Sequence, residues 1–376
     1  MKDALHRVAP PGEEAAGERA WQVVAAAYAE REPIARPSRR PWVALAVAAT
    51  VVTALGLASP PGRAVIDRVR EAVGVEHAQP ALFALPTEGR LLVQSDSGVW
   101  VVREDGSKRL LGSYREASWS PFRRFIVAVR RNGNELAALE PNGDVRWTLA
   151  RPGVRSPTWT GSAIDTLIAY TDSSGLRVVA GDGTGDRRLV PGARGPLAWK
   201  PGPSRQLAYV FGGEVVVRNV ETGRVVWRTR FPSALPATAV EWSSDGKRVL
   251  VLAPRALRVY DARGRVVAQD DPSDATQDAD AAFRPGTHDV AVIRLEGAQS
   301  TVFWLATGRA LFSGTGVFGG LAWSPDGRWL LVTWPTADQW VFVPAGERRR
   351  IRAVANVSAQ FRSRTFPRVE GWCCTR

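Results

Sequence analysis

The sequence is poor in the residues that most often make a site by themselves. Among its 376 residues are two cysteines, three histidines and one methionine. Cys373 and Cys374 are adjacent, which excludes a disulfide-stapled fold and a cysteine-rich zinc or iron–sulfur centre. His6, His77 and His288 are scattered and supply no cluster for metal binding or acid–base work. Lysine occurs only at 2, 108, 200 and 247, so the formal charge of +13 is carried by arginine. An apolar fraction of 45% excludes wholesale disorder. These shortages argue against an enzyme, and no residue is assigned a catalytic or cofactor-binding role.

One long uncharged run breaks the chain: residues 41–62, PWVALAVAATVVTALGLASPPG. Its apolar core, Trp42 to Ala58, would span roughly 25 Å as a helix at about 1.5 Å per residue, the lower limit for crossing a bilayer. Arg31, Arg36, Arg39 and Arg40 precede it, which predicts a cytoplasmic N-terminal side. A cleaved signal peptide is the rival reading, because Gly56-Leu57-Ala58 offers small residues. A leading region with six acids suits that poorly. The expected organisation is a cytoplasmic tail at 1–41, a transmembrane helix at 42–58, a juxtamembrane linker at 59–79 and an extracytoplasmic body at 80–376. Within the tail, Trp21, Val24, Ala25 and Tyr28 fall at helical spacing. A helix so short does not fold alone, so Trp21, Val24 and Tyr28 are the face it would turn to a cytoplasmic partner.

From about residue 80 the chain repeats itself. An aromatic followed by a turn and an apolar run occurs as ASWSPFRRFIVAV, PTWTGSAIDTLIAY, LAWKPGPSRQLAYV, VEWSSDGKRVLVL, AAFRPGTHDVAVI and LAWSPDGRWLLVT. The aromatics are Trp119, Trp159, Trp199, Trp242, Phe283 and Trp323, spaced 40, 40, 43, 41 and 40 residues apart. Phe83 and Phe361 read as weaker flanking copies. A Gly- or Asn-containing turn between two short strands occurs seven times, from REDGSKRLL to PAGERRRI. Units of about 40 residues with four short strands each cannot bury both sheet faces alone, so they pack radially. The prediction is an all-β, seven-bladed β-propeller, with six or eight blades as alternatives. If the Phe361 segment supplies the inner strand of the first blade, the chain closes its own ring and leaves no open edge.

The repeated units resemble those of the TolB-like and WD-repeat-like propeller families, which read W-S-P-D-G before an apolar strand. LAWSPDGRWLLVT at 321–333 and VEWSSDGKRVLVL at 240–252 carry the resemblance. The Trp-Asp dipeptide that ends a typical WD-repeat strand is absent, which favours the TolB-like branch in a membrane-anchored bacterial form. VETGRVVW at 220–227 is similar to the T-G-K-x-x-W element of quinoprotein-type propellers, once only. The resemblance implies a fold and says little about function.

Function is therefore sought on loops at the two ends of the blades. Arg115, Arg130, Arg131, Arg151, Arg155, Arg194 and Arg255 fall at one end and suggest a basic rim; Arg115, Arg131, Arg155, Arg194 and Arg255 are its binding candidates. Beyond the tail, 43 basic residues face 31 acidic ones, which favours a protein or an anionic envelope ligand. No aromatic-interleaved basic patch points to nucleic acid. The loop QDDPSDATQDAD gives a weak cation candidate in Asp271, Asp274, Asp278 and Asp280, although its spacing matches no EF-hand. GDGTGDRR at 181–188 reads as a hairpin turn. The serines read as turn residues, and only His288 lies near one of them. The expected function is a non-catalytic, membrane-anchored binding propeller, a scaffold or sensor without a cofactor. The alternatives are a propeller enzyme of quinoprotein or lyase type, or a protein that couples the propeller to a cytoplasmic regulator.

Overall fold

The computed structural model describes residues 84–121, 124–162, 165–346 and 350–374. Expectations for the tail face at Trp21, Val24 and Tyr28, the span at 42–58, the linker and Phe83 lie outside the described residues. Among those described, no helix is long and apolar enough to cross a membrane.

Turn chemistry sets the strand lengths. Ser324 opens the Trp-Ser-Pro-Asp-Gly turn; its Oγ accepts the Trp329 N–H at 2.9 Å and donates to Asp326 Oδ1 at 2.6 Å. Ser243 does the same with the Arg248 N–H and Asp245, and Ser120 accepts the Phe125 N–H at 3.0 Å. A small hydroxyl thus ties the two strands across the turn, while Gly246 and Gly327 supply positive φ values of 65° and 64°. The outer hairpins repeat a second device. Six outer strand pairs carry a one-residue register shift, in four of them at the last pair before the turn, a bulge that raises the local twist.

Among the described residues, 28 strands form seven antiparallel four-stranded sheets. Six sheets are simple meanders, beginning with the inner strands β4 (Tyr114–Trp119), β8 (Arg155–Gly161), β12 (Leu197–Trp199), β16 (Ala239–Trp242), β20 (Thr276–Phe283) and β24 (Gly320–Trp323). The first blade is discontinuous: β28 (Arg368–Cys373) is its inner strand, paired with β1 (Arg90–Ser95). Seven blades are therefore present, neither six nor eight. The C-terminal segment closes the ring as expected, but through a different aromatic. Trp372 stands opposite Leu91, as Trp119 stands opposite Ile126 and Trp323 opposite Leu330. Phe361 is not a repeat aromatic. It ends the single helical turn Val357–Gln360 and is buried between Trp100 and Trp340, at 5.8 and 5.2 Å between ring centres.

The core is divided into seven layers, one at each contact between neighbouring blades, including the seventh against the first. The two middle strands of each blade are sandwiched between neighbours, so β17 (Arg248–Ala253) and β18 (Ala256–Asp261) read as nearly continuous apolar runs. Outer strands face water and alternate, as in β7 (Val145–Ala150).

The repeat tryptophans lie in these layers, and three of them carry a polar tie as well. Trp199 Nε1 donates to Thr158 O at 3.1 Å, Trp242 Nε1 to Ala198 O at 3.1 Å and Trp323 Nε1 to Ala282 O at 3.4 Å. In each case the acceptor is the residue just before the aromatic of the preceding blade.

Candidate functional site

The inner strands surround a central channel of about 870 Å3. They all run the same way, from the end carrying the interblade links (the link end) to the end carrying the Ser-x-Asp-Gly turns (the turn end). Arg115, Arg155 and Arg368 come first or second on their strands and line the link-end mouth. Arg155 and Arg368 are largely exposed, at 64% and 73%. Further along the strands, one to three residues before the aromatics, four carboxyl groups line the channel: Glu116, Glu241, Asp280 and Glu370.

Three of them clasp the next blade. Glu116 Oε2 accepts the Ser156 N–H at 2.6 Å, Glu241 Oε2 accepts the Phe283 N–H at 3.2 Å, and Asp280 Oδ2 accepts the Leu321 N–H at 2.7 Å. Gln94 Oε1 likewise accepts the Glu116 N–H at 3.0 Å. Inner strands have one edge without a β partner, and these side chains satisfy part of it. Glu116 and Ser156 reach their geometry at bulges, with φ of 46° and 51°. Burial pushes the Glu241 carboxyl up to about 8, that of Glu370 up to about 7 and that of Asp280 up to about 6. Their backbone and arginine partners only partly offset this.

The rim candidates share the link end but differ in freedom. Arg115 donates to Val154 O at 3.3 Å, Arg194 to Ser173 O at 3.1 Å, and Arg131 to the Asp96 carbonyl. Arg255 pairs with Asp274. Arg130 pairs with Glu135 at 2.8 Å and packs on the Tyr114 ring. Arg151 turns to Asp186, which also binds Tyr170 and Arg177. Arg155, with Glu116 at 3.8 Å, is the freest of the seven.

The acidic run does not form a cation site. Asp271 pairs with Arg258, Asp274 with Arg255 and Asp278 with Arg294, while Asp280 faces the channel. Each carboxylate has its own guanidinium or its own backbone donors, and the four are spread over β20 and the link before it. Among the described residues, no group of three or more His, Cys, Asp or Glu could hold a metal ion. His288 Nε2 lies 3.0 Å from Asp245 Oδ2, and Ser243 Oγ donates to the other oxygen of that carboxylate. The serine is fully buried and bonds to the aspartate, not to the histidine, so the trio lacks the order a hydrolase needs. These bonds, with the Lys247 N–H, outweigh burial and hold Asp245 well below the usual carboxylate range. Cys373, the last residue of β28, and Cys374 after it form a vicinal disulfide.

Glu116, Glu241, Glu370 and Arg368 were missed by reading the sequence. A signal for two of them existed: Glu116 and Glu241 precede the repeat aromatics Trp119 and Trp242 by three residues and by one, on strands expected to line the axis.

Seven sheets arranged around one channel, with the inner strand of the first supplied from the far end of the chain, define a seven-bladed β-propeller. The fold is similar to that of a WD-repeat propeller, the Cps50 (Swd1) β-propeller domain of Myceliophteria thermophila. That match has a TM-score of 0.55 and 12% identity, and covers 70% of this chain and 98% of that one. No family model matches the chain, and no curated protein matches it in sequence.

Proposed function

We propose that the chain is a non-catalytic binding propeller, anchored in a bacterial cell membrane through residues 42–58, of the TolB-like branch. It takes a protein partner or an anionic envelope ligand on its link end. One observation carries this reading: Arg155 and Arg368 stand exposed at the mouth of the channel, with Arg194 exposed on the same end. Residues 84–87 lie at the opposite end, where Leu85 N–H donates to Glu104 O and Thr87 Oγ1 to Asp326 Oδ2. A cluster of exposed guanidinium groups favours carboxylate or phosphate partners and steers them in a salt-dependent way.

The test is a double charge reversal, Arg155→Glu with Arg194→Glu, probed with a soluble anionic polymer such as polyglutamate and by crosslinking in cells. Binding to the wild type should fall steeply with salt, and the double variant should lose it by about tenfold or more. Equal binding by both proteins would overturn the reading. The tail at 1–41, through Trp21, Val24 and Tyr28, would couple such an event to a cytoplasmic regulator.

A further inference from the structure

We infer that the channel itself holds one organic monocation, an ammonium or guanidinium group, between the carboxyl groups of Glu370 and Glu116. The proposal is independent of the arginine rim. It rests first on the axial order of charge: arginines at the link-end mouth, carboxyl groups deeper and toward the turn end.

The second observation is Glu370. Its three counterparts each spend an oxygen on a backbone N–H of the next blade, so an interblade clasp explains them. Glu370 has no such use. Its side chain is 9% exposed and lines the channel, and its Oε1 is buried without a hydrogen bond. The Nε of Arg368 stands 3.4 Å away on a side chain that is 73% exposed. A buried carboxyl without a donor is costly to ionise, which is why burial raises its pKa. Glu116 Oε1 is also loosely held, 3.8 Å from both Arg115 and Arg155. A cation between them supplies the missing donors.

The class of cation follows from the space. No cluster of three or more acidic, histidine or cysteine side chains among the described residues could hold a metal ion, and about 870 Å3 is far larger than a bare ion requires. Gln94, Ser118 and Thr158 add polar groups along the wall, suiting a group with several N–H donors.

The test is calorimetric titration of the purified full chain, in detergent micelles, with methylguanidinium chloride and with n-butylammonium chloride. Sodium chloride at equal ionic strength serves as the screening control, and calcium chloride distinguishes a metal site. Saturable one-site binding of either organic cation is expected at pH 8, with release of protons shown by two buffers of different ionisation enthalpy. Affinity should fall about tenfold at pH 5, and about tenfold in Glu370→Gln at pH 8. A response no larger than that of sodium, tighter binding of calcium, or affinity indifferent to pH would each overturn the proposal. Where Glu370→Gln does not fold, the pH series on the native protein decides alone. Failure of the rim to bind an anion leaves this titration unaffected.

Discussion

At the scale of the residue, the repeat aromatic does two separable jobs. Its ring fills an interblade layer, and in Trp199, Trp242 and Trp323 its Nε1 also ties neighbouring inner strands. Phe283 holds the same register with no donor, so the ring is the indispensable part. Trp242→Phe should therefore cost about 0.5–1.5 kcal/mol, the worth of one hydrogen bond. Trp242→Ala should cost roughly 3–5 kcal/mol, the worth of a large buried side chain. Denaturant midpoints at constant slope would check both, and equal losses would show that the bond and not the ring holds the blades. The sequence announced these residues because their spacing is a property of the chain. Glu370 was silent because its significance depends on which strands it meets across the channel, and nothing within six residues of it says so.

At the scale of the element, the strand that closes the ring was expected within Phe361 to Trp372, with Phe361 as its aromatic, and lies at Arg368–Cys373 with Trp372 in that place. The intervening residues 356–367 make a longer link, which displaced the repeat aromatic from position 361 to Trp372, 49 residues after Trp323. Period counting finds an inserted link only when a copy falls on schedule, and Phe361 happened to fall near it. Truncation after Ala355 removes the inner strand of the first blade and leaves β1 and the neighbouring inner strands without a partner. Loss of cooperative unfolding and aggregation at micromolar concentration are expected, read by calorimetry and light scattering. Melting like the full chain would show β28 to be an appendage.

The inner strands also make stability depend on pH. Glu241, Glu370 and Asp280 bind protons more tightly folded than unfolded, so the native state holds more protons between the ordinary carboxyl range and about pH 8. Stability from these groups is greatest at the acidic side of that window and falls as pH rises through it. Asp245 and Asp326 are shifted the other way and matter only under more acidic conditions. The melting temperature should decline from pH 5 to pH 8, and Glu241→Gln should flatten the decline. A rise over that interval would mean the channel carboxyl groups ionise without penalty.

At the scale of the whole molecule, the sequence was informative about architecture and nearly mute about partners. Blade number, hairpins and turn serines are local and repeated, so each unit corroborates the others. A binding face belongs to loops that need not repeat, and its arginines look alike whether they stand largely in solvent, as Arg155 does, or are bound to backbone carbonyls, as Arg131 is. Compartment is the decisive molecular-scale prediction. Protease added to intact spheroplasts should digest the propeller and spare residues 1–41, detected by antibodies to each. Digestion only after lysis would place the propeller inside.

Closure by β28 also fixes an order of events during synthesis. Strand β1 emerges from the ribosome among the first of the 28, yet its partner on the channel side emerges last. Throughout that interval the first blade holds three strands with an apolar, half-paired rim, because Leu91, Leu92 and Val93 are fully buried only in the finished ring. The growing chain therefore carries an unpaired apolar edge from the synthesis of β1 until that of β28. A cell making this protein must shield that one strand through the synthesis of the 27 that follow it.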